Sequence, residues 1–450
     1  MSRRDLLCWL VMPAVVLMNG CIRAQNYHAA NNSTFHYQYR INNADYGKGY
    51  FQEATAHEAY LEFDARGSMF RDREGHTPQL DATLQLIKNL RYPGGSNEPR
   101  KIALYVFVHG WKNNASEDSG NVWGFRRFLS SIAHDHCGVP VVGLYIGWPG
   151  ASLKMDKFLT FWDREPVADN VGNGELADAM RSILQAVKGP RFNDGDHSIA
   201  VVIGHSFGGI VLERVAIKLV REQLNDPDRQ AASPADLFVL VNEAGAAALA
   251  RPFLMELAEK NVSYDDSKGK PHPLILSMTS TGDVATKFAY PGGEFISFKR
   301  PPPQTYSPAD RFGQVSSQPY DLLTAANMIA LQSHQIVPYV SQAACDLKIP
   351  LGTKQAYCMN AITENRLNKT PYWIMQMPQI FVPDHGAVFQ DYLLKLISVV
   401  FGDSELTDCG PRVSNAPAGA EGVVRPAPPA ALPEGRPSGP AGRPSMKRRI

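Results

Sequence analysis

The sequence predicts an α/β protein with a mostly parallel sheet and helices on both faces. Two observations predict this fold class. Short, nearly continuous apolar runs recur along the chain, as expected of parallel strands that are buried on both faces. Amphipathic stretches of helical period lie between these runs, and the alternation is typical of a parallel sheet whose strands are connected by helices.

The predicted elements follow one another in this rhythm from residue 59 to residue 400. The predicted strands occupy residues 59–63, 102–108, 141–146, 199–203, 237–241, 274–278 and 379–382. The predicted helices occupy residues 80–90, 125–133, 175–187, 210–222 and 387–400.

Length and composition indicate one large globular domain with insertions and tails. The chain has 450 residues, of which 44% are hydrophobic and 20% are charged. Lysine and arginine total 45 against 44 for aspartate and glutamate, which leaves a net charge of +1. Because no global field is available to gather polyanions, we expect no nucleic-acid partner.

The first 24 residues are typical of a signal peptide. Two arginines precede an apolar run at 6–18 that is too short to span a bilayer. The run leads to Gly-Cys at Cys21, which resembles a bacterial lipobox whose cysteine is lipidated. The alternative is plain cleavage, after Ala24, and a free periplasmic or secreted protein. We therefore expect an exported protein of the bacterial envelope, held at the membrane by a lipid anchor if Cys21 is modified.

Two further segments lack a folding pattern. Residues 25–58 are polar and aromatic without a clear period, and we expect an irregular tether there. Residues 410–450 are rich in Pro, Ala and Gly and cannot bury enough apolar surface to offset chain entropy, so we expect them to be disordered. The folded domain is then expected at 59–405.

The cysteines suggest a loop closure rather than a metal site. In an oxidising compartment Cys345 and Cys358 could close a loop, although the sequence alone leaves the pairing open. The chain contains no C-x-x-C pattern, so we expect no zinc or redox cluster and no cofactor.

A candidate nucleophile follows the predicted strand 199–203. Residues 204–208 read Gly-His-Ser-Phe-Gly, a G-x-S-x-G motif between a buried strand and a helix. In that setting the serine lies on a sharp, strained turn, and flanking glycines let the strand and helix approach each other. We therefore predict Ser206 as the nucleophile.

A serine hydroxyl needs a base, and His385 is the best candidate. It follows the predicted last strand and precedes the last helix, so it can reach back over the sheet. His334 lies in a long insertion and is the reserve candidate. His205 is next to Ser206, but we expect its side chain to point away from the serine.

The histidine in turn needs a carboxylate that fixes its tautomer. Asp283 follows the strand 274–278 and gives the order Ser, Asp, His along the chain. Glu243 follows the preceding strand and is the rival. Asp384 is adjacent to His385, and a directly adjacent residue usually cannot bridge back to the ring.

Donors for a developing oxyanion are expected from two backbone amides. Residues 107–111 read Phe-Val-His-Gly-Trp directly after a buried strand, and Gly110 allows the backbone to turn there. The N–H groups of Trp111 and Phe207 are the expected pair. His109 is expected to hold the loop rather than to perform chemistry.

Four segments together resemble the α/β-hydrolase superfamily and, within it, a group of bacterial esterase-like proteins. They are FVHGWKNN at 107–114, GWPG at 147–150, FWDR at 161–164 and GHSFGG at 204–209. The resemblance covers roughly residues 59–400. It implies an eight-stranded, mostly parallel sheet and a triad of Ser206, Asp283 and His385, but no particular substrate.

The chain is long between two of the site residues. About 100 residues separate Asp283 from His385, where a minimal fold of this type needs only a helix and a strand. We expect the surplus, about 291–370, to form an insertion that lids or narrows the pocket.

These residues predict a serine hydrolase that cleaves carboxylic esters through an acyl-enzyme and needs no metal or organic cofactor. The expected partner is a small-molecule or lipid ester. The same triad would serve an amidase, a thioesterase or a phospholipase. A third possibility is a hydrolase-fold protein that binds envelope components without turnover.

Overall fold

The structure is a computed structural model that describes most of the predicted domain. The described residues are 26–28, 33–41, 50–136, 138–150, 161–192, 198–226, 233–264, 271–290, 323–341, 343–352, 355–363 and 365–401. The predicted signal peptide with Cys21 and the predicted disordered tail, 410–450, lie outside these residues.

The core of the fold is a mostly parallel sheet, which confirms the predicted fold class. Seven strands pair in parallel in the order β2-β4-β3-β5-β6-β7-β11, and β1 pairs antiparallel with β2 at one edge. The strands are β1 (Ser33–Ile41), β2 (Tyr50–Glu62), β3 (Ala103–Val108), β4 (Val141–Gly147), β5 (Ile199–His205), β6 (Leu237–Val241), β7 (Ile275–Ser280), β8 (His334–Pro338), β9 (Leu347–Leu351), β10 (Gln355–Ala361) and β11 (Tyr372–Met377).

Helices cover the sheet where the amphipathic stretches predict them. The α-helices are α1 (Pro78–Arg91), α2 (Gly120–Asp135), α3 (Phe161–Asn173), α4 (Leu176–Lys188), α5 (Phe207–Leu224), α6 (Ala247–Glu259) and α7 (Asp391–Phe401). Short helical turns occur at Pro93–Gly95, Ala285–Ala289, Ala325–Asn327, Ile329–Leu331 and Arg366–Lys369. Of these helices, α3 and α6 have no counterpart in the sequence prediction. No helix among the described residues is long and apolar enough to cross a membrane.

Each central strand is buried on both faces because its side chains alternate between two apolar cores. In β3, Leu104 and Val106 belong to one core, while Tyr105 and Phe107 belong to the other. Helices α1 and α3–α6 contribute to the first core, and α2 and α7 contribute to the second. This two-sided burial explains why the strands read as continuous apolar runs.

The segment expected to be a tether, 25–58, contributes strands to the sheet instead. It contains β1 and the first part of β2. Ahead of these strands, His28 stacks on Tyr60 with ring centroids 3.5 Å apart, and its ring nitrogens lie 3.2 Å from Glu62 and 3.2 Å from Glu117. Pairing of the strand backbones and these side-chain contacts stabilise a structure that the irregular composition of the segment does not predict.

The last strand of the sheet lies earlier than predicted. It is β11, Tyr372–Met377, whereas residues 379–382 form a turn in which the Phe381 N–H donates to the Pro378 carbonyl. Prolines at 378 and 383 flank this turn, and proline cannot donate a ladder hydrogen bond. Phe381 and Val382 are nevertheless buried, which accounts for the apolar run that indicated a strand.

The described part of the insertion carries a second, antiparallel sheet of three strands in the order β8-β10-β9. Cys345 and Cys358 are disulfide-bonded in this region, as their spacing allows. Ile336, Ile349 and Leu351 pack into the core that α2 and α7 cover. The small sheet is therefore attached to the main domain through apolar contacts.

Candidate active site

Ser206 lies on a strained turn between β5 and α5. Its backbone angles are φ 57° and ψ −121°, in a region that residues with a Cβ rarely adopt. The turn is held in place because the Ser206 N–H donates to Val241 at 3.1 Å and the Ser206 carbonyl accepts from Gly209 and Ala244 at 2.9 and 3.2 Å. The serine is thus presented at the carboxyl edge of the sheet by fixed backbone.

The flanking glycines are required by close packing around this turn. A Cβ on Gly208 would lie 2.2 Å from the Val108 carbonyl oxygen, and a Cβ on Gly204 would lie 2.5 Å from the Gly208 carbonyl oxygen. Neither contact is sterically possible. The G-x-S-x-G pattern therefore has a packing cause: the start of α5 lies directly against the end of β3.

Ser206, His385 and Asp283 form one hydrogen-bonded chain. The His385 Nε2 atom lies 2.8 Å from Ser206 Oγ, and His385 Nδ1 lies 2.9 Å from Asp283 Oδ2. Because an ionised carboxylate only accepts, Nδ1 carries the proton and Nε2 is free to accept from the serine hydroxyl. This is the tautomer that a general base beside a serine needs.

The Asp283 carboxylate is fully buried and has a partner on each oxygen. Oδ1 accepts from the N–H groups of Ala285 and Thr286 at 2.9 and 3.1 Å, and Oδ2 accepts from the Thr286 hydroxyl at 2.7 Å as well as from His385. Burial raises the pKa of this carboxyl, but the hydrogen bonds from His385 and Thr286 outweigh that effect and hold the pKa below its usual range. Asp283 is therefore ionised beside the histidine.

Two residues that the sequence reasoning did not assign hold the backbone of His385. Asn242, completely buried, donates to the carbonyl oxygens of Asp384 and His385 at 3.2 and 3.1 Å, and its own Oδ1 accepts from the Ser280 N–H at 2.9 Å. The His205 Nε2 atom lies 2.6 Å from the same His385 carbonyl oxygen. The loop that carries the histidine is thus tied to the ends of β5, β6 and β7.

The protonation of His205 follows from its burial. Burial lowers the pKa of His205 to about 3, so the ring is neutral and Nε2 carries the proton that it donates to His385. Its ring lines the same cavity as Ser206 but makes no hydrogen bond to the serine. The expectation that His205 is not the base agrees with these contacts.

The rival residues lie elsewhere. The Glu243 carboxyl approaches Ser277, with 3.4 Å between Oε2 and the hydroxyl, rather than His385. His334 stacks on Trp373 at 4.0 Å, and burial lowers its pKa to about 3. The Asp384 carboxylate accepts from the backbone of its own turn.

The loop after β3 lies beside Ser206. A Cβ on Gly110 would lie 2.8 Å from Ser206 Cβ, so the backbone passes the serine at close range. Trp111 and Phe207, the expected oxyanion donors, both line the cavity that contains Ser206. His109 Nδ1 donates to Gly110 at 2.9 Å, and its Nε2 accepts from the Trp148 N–H at 3.1 Å.

These contacts define the role of His109. Burial lowers its pKa to about 4, so the ring is neutral and acts as a fixed bridge between the β3 and β4 loops. The Trp148 ring also stacks on it, with 5.3 Å between centroids. His109 therefore holds the loop after β3 through Gly110 and Trp148, as expected.

Ser206 opens into a cavity of about 540 Å³. This volume lies within the usual range for small-molecule sites. Within the described part of the predicted lid, 323–370, no residue lines the cavity; residues 291–322 lie outside the described residues. Asp72, Glu74 and His76 have ligand atoms within 4.8 Å of one another, but they are exposed and line no part of this cavity.

Comparisons with known proteins give little beyond this geometry. No protein-family model matches the chain, and no curated protein matches it. One similar solved structure is an uncharacterized protein from Pseudomonas aeruginosa, with 12% identity and a TM-score of 0.22 over 49% of this chain and 41% of that one. Another is polyneuridine aldehyde esterase, with 16% identity and a TM-score of 0.15 over 38% and 56%. The chain thus spans about half the length of these proteins, and TM-scores this low carry no argument.

Proposed function

We propose that this protein is a serine hydrolase of the α/β-hydrolase type that cleaves carboxylic esters through an acyl-enzyme. The observation that carries the proposal is the hydrogen-bonded chain from Ser206 through His385 to the ionised Asp283, with Ser206 on a strained turn. Strain of this kind in a non-glycine residue persists at functional sites because the surrounding structure imposes it.

The chemistry follows from the positions of the protons. Ser206 Oγ attacks the ester carbonyl carbon while His385 Nε2 takes the hydroxyl proton, and Asp283 stabilises the resulting imidazolium. The N–H groups of Trp111 and Phe207 stabilise the oxyanion. His385 then gives its proton to the leaving alcohol, the acyl-enzyme forms, and a water molecule activated by His385 releases the acid.

The membrane and envelope assignments belong to the same proposal. The protein is exported, and lipidation of Cys21 anchors it to a bacterial membrane, where a lipid or small-molecule ester is within reach. A lid role for the insertion, about 291–370, stays a prediction, and the described residues of this insertion do not line the cavity. Mass spectrometry of the mature N-terminus tests the anchor: a diacylated Cys21 supports it, and a terminus beyond residue 24 contradicts it.

Hydrolysis of p-nitrophenyl esters from acetate to palmitate tests the enzyme assignment. Ser206→Ala is expected to lower kcat/KM by about 10³-fold or more, since the nucleophile is lost. A fluorophosphonate probe followed by peptide mass spectrometry checks Ser206 directly, and His385→Ala is the matched variant that should prevent labelling. Labelling without ester hydrolysis would indicate an amide, thioester or phospholipid substrate. Neither labelling nor hydrolysis would indicate a protein that binds without turnover.

A further inference from the structure

The cavity beside Ser206 has two cationic side chains among the described residues that line it. Lys112 and Arg127 line it, and among the described residues that line it there is no aspartate or glutamate. The Lys112 Nζ atom lies over the Trp111 ring, 3.9 Å from the centroid, next to the expected oxyanion site. The cationic groups thus lie on the side of the cavity formed by the β3 loop and α2.

Three carboxylates on the surrounding elements have hydrogen-bond or ion-pair partners of their own. The Asp283 carboxylate is hydrogen-bonded to His385 Nδ1, and Asp384 accepts from the N–H groups of its own turn. Glu117 lies 2.6 Å from the Arg126 guanidinium and also contacts His28. None of these three carboxylates is among the residues that line the cavity.

Arg126 and Arg127 are adjacent in α2 and have different environments. Arg126 is buried and bonded to Glu58 and Glu117 on the side of β2. Arg127 is exposed at the cavity and makes no ion pair with any residue that the structure describes. Because the guanidinium fork is suited to carboxylate and phosphate, an arginine in this position is available to a ligand.

The first turn of α2 adds to the same field. Gly120 and Asn121 line the cavity, and this turn of a 16-residue helix contains no acidic residue. The positive end of the helix dipole therefore faces the cavity, and the exposed Asp118, two residues before the helix, offsets part of its field. The side-chain amides of Asn121 and Gln390 also line it and make no hydrogen bond with the described residues, so neutral donors accompany the charges.

We infer that the substrate of this site carries an anionic group, a carboxylate or a phosphate, which Arg127 and the first turn of α2 bind while Ser206 attacks the ester. The inference rests on the proposed function, since it names the class of ester. Neutral esters would fill the cavity without using its charge. An anionic ester gains charge-assisted hydrogen bonds to the guanidinium group.

Two matched pairs of esters test this inference in the full chain. 4-Nitrophenyl hydrogen glutarate against 4-nitrophenyl valerate places the charge on the acyl side. 4-Acetoxybenzoate against methyl 4-acetoxybenzoate places it on the leaving group. In one of these pairs, we expect kcat/KM to be about 10-fold or more higher for the anionic ester, after correction for the intrinsic reactivity of the two esters. This preference should decrease at high salt, which screens the charges. Competitive inhibition by benzoate and by phenyl phosphate distinguishes the two anions.

Charge reversal supplies the decisive comparison. Arg127→Glu and Arg127→Gln are expected to remove most of the preference for the anionic ester, with the larger loss in the glutamate variant. Lys88→Glu is the matched control because this substitution makes the same change in net charge as Arg127→Glu. Lys88 is exposed on α1, which covers the opposite face of the sheet. Its ratio of anionic to neutral rates should equal that of the wild type.

The outcomes separate this inference from the proposed function. Ser206-dependent hydrolysis with no preference in either pair, or with a preference unchanged by Arg127→Glu, overturns the inference and leaves the hydrolase. If esters are inert but Ser206 is labelled, the ratio of labelling rates of a carboxylate-tailed and a neutral fluorophosphonate replaces the ratio of ester rates. A ratio near one, or one unchanged by Arg127→Glu, then overturns the inference. If Ser206 is not labelled, the proposed function fails and the inference fails with it.

Discussion

Replacement of Asn242 should separate the placement of His385 from the chemistry of the triad. The residue is fully buried, has φ 48°, and ties the carbonyl groups of Asp384 and His385 to the Ser280 N–H. It does not line the cavity. Its loss is therefore expected to move the base without removing any group that touches the substrate.

The magnitude follows from the individual contacts. In Asn242→Ala the buried Ser280 N–H loses its acceptor, which costs about 1–3 kcal/mol. A Cβ at positive φ without a side chain that bonds locally costs about 1 kcal/mol more. The His385 carbonyl loses its hydrogen bond from Asn242 but keeps the one from His205, so it remains partly satisfied. We expect a decrease of about 3 kcal/mol in the free energy of unfolding.

Asn242→Gly is the matched variant because glycine tolerates positive φ at no steric cost. It should be more stable than Asn242→Ala by about 1 kcal/mol and should show the same catalytic defect. Displacement of the base by about 1 Å can lower a rate by about 100-fold, so kcat is expected to fall by roughly that factor while KM changes little. Urea unfolding and ester kinetics measure both effects. Wild-type kcat in Asn242→Gly, with a stability loss under about 1 kcal/mol, would refute the anchoring role.

Three further predictions follow from the site and its surroundings. Asp283→Asn should lower kcat for an ester by about 10³–10⁴-fold, because an amide can stabilise the wrong histidine tautomer, whereas Glu243→Gln should change kcat by less than about 3-fold. Gly208→Ala should lower the free energy of unfolding by more than about 3 kcal/mol, since its Cβ would lie 2.2 Å from a backbone oxygen of β3, while Gly386→Ala should cost under about 1 kcal/mol because a Cβ there has room. Burial lowers the pKa of His28, but its hydrogen bonds to two glutamates outweigh that effect and raise the pKa above its usual value. The contribution of protonated His28 to the stability of the fold is then complete below about pH 6.5 and is lost as the pH rises through the raised pKa. The difference in Tm between wild type and His28→Gln should therefore be larger at about pH 5.5 than at about pH 9.

The central strands could be predicted because their signal is local. A run such as Val201 to Ile203 is apolar at every position, since the sheet is covered on both faces. The small sheet β8–β10 could not be predicted because its strands are half-exposed and contain no continuous apolar run. In β8, His334 and Ile336 are buried and Pro338 is exposed. Strand β1 was missed because its order comes from pairing with β2, which no local pattern in the segment records.

The residues of the candidate site divide in the same way. Ser206, Asp283 and His385 could be predicted from their positions in the chain. Each follows a strand or a turn at the carboxyl edge of the sheet, and they occur in the order Ser, Asp, His. Asn242 and His205 act on a backbone carbonyl about 140 and 180 residues away in the chain. The one local sign at Asn242 was an asparagine directly after a buried strand, a residue type that tolerates positive φ. That sign indicates a turn and leaves its target unknown.

The choice between two carboxylates required information that no single segment contains. Asp283 and Glu243 both follow strands that lie next to each other in the sheet, so position alone leaves both open. The Glu243 side chain lies against Gly209, where a Cβ would approach it to 2.9 Å, and is buried with Glu213. Burial and the neighbouring Glu213 raise the pKa of Glu243 well above its usual value, so that carboxyl is protonated. A neutral acid cannot stabilise an imidazolium as an anion does. The charge that His385 requires is therefore available from Asp283, whereas Glu213, about two turns along α5 from Ser206, helps to keep Glu243 neutral.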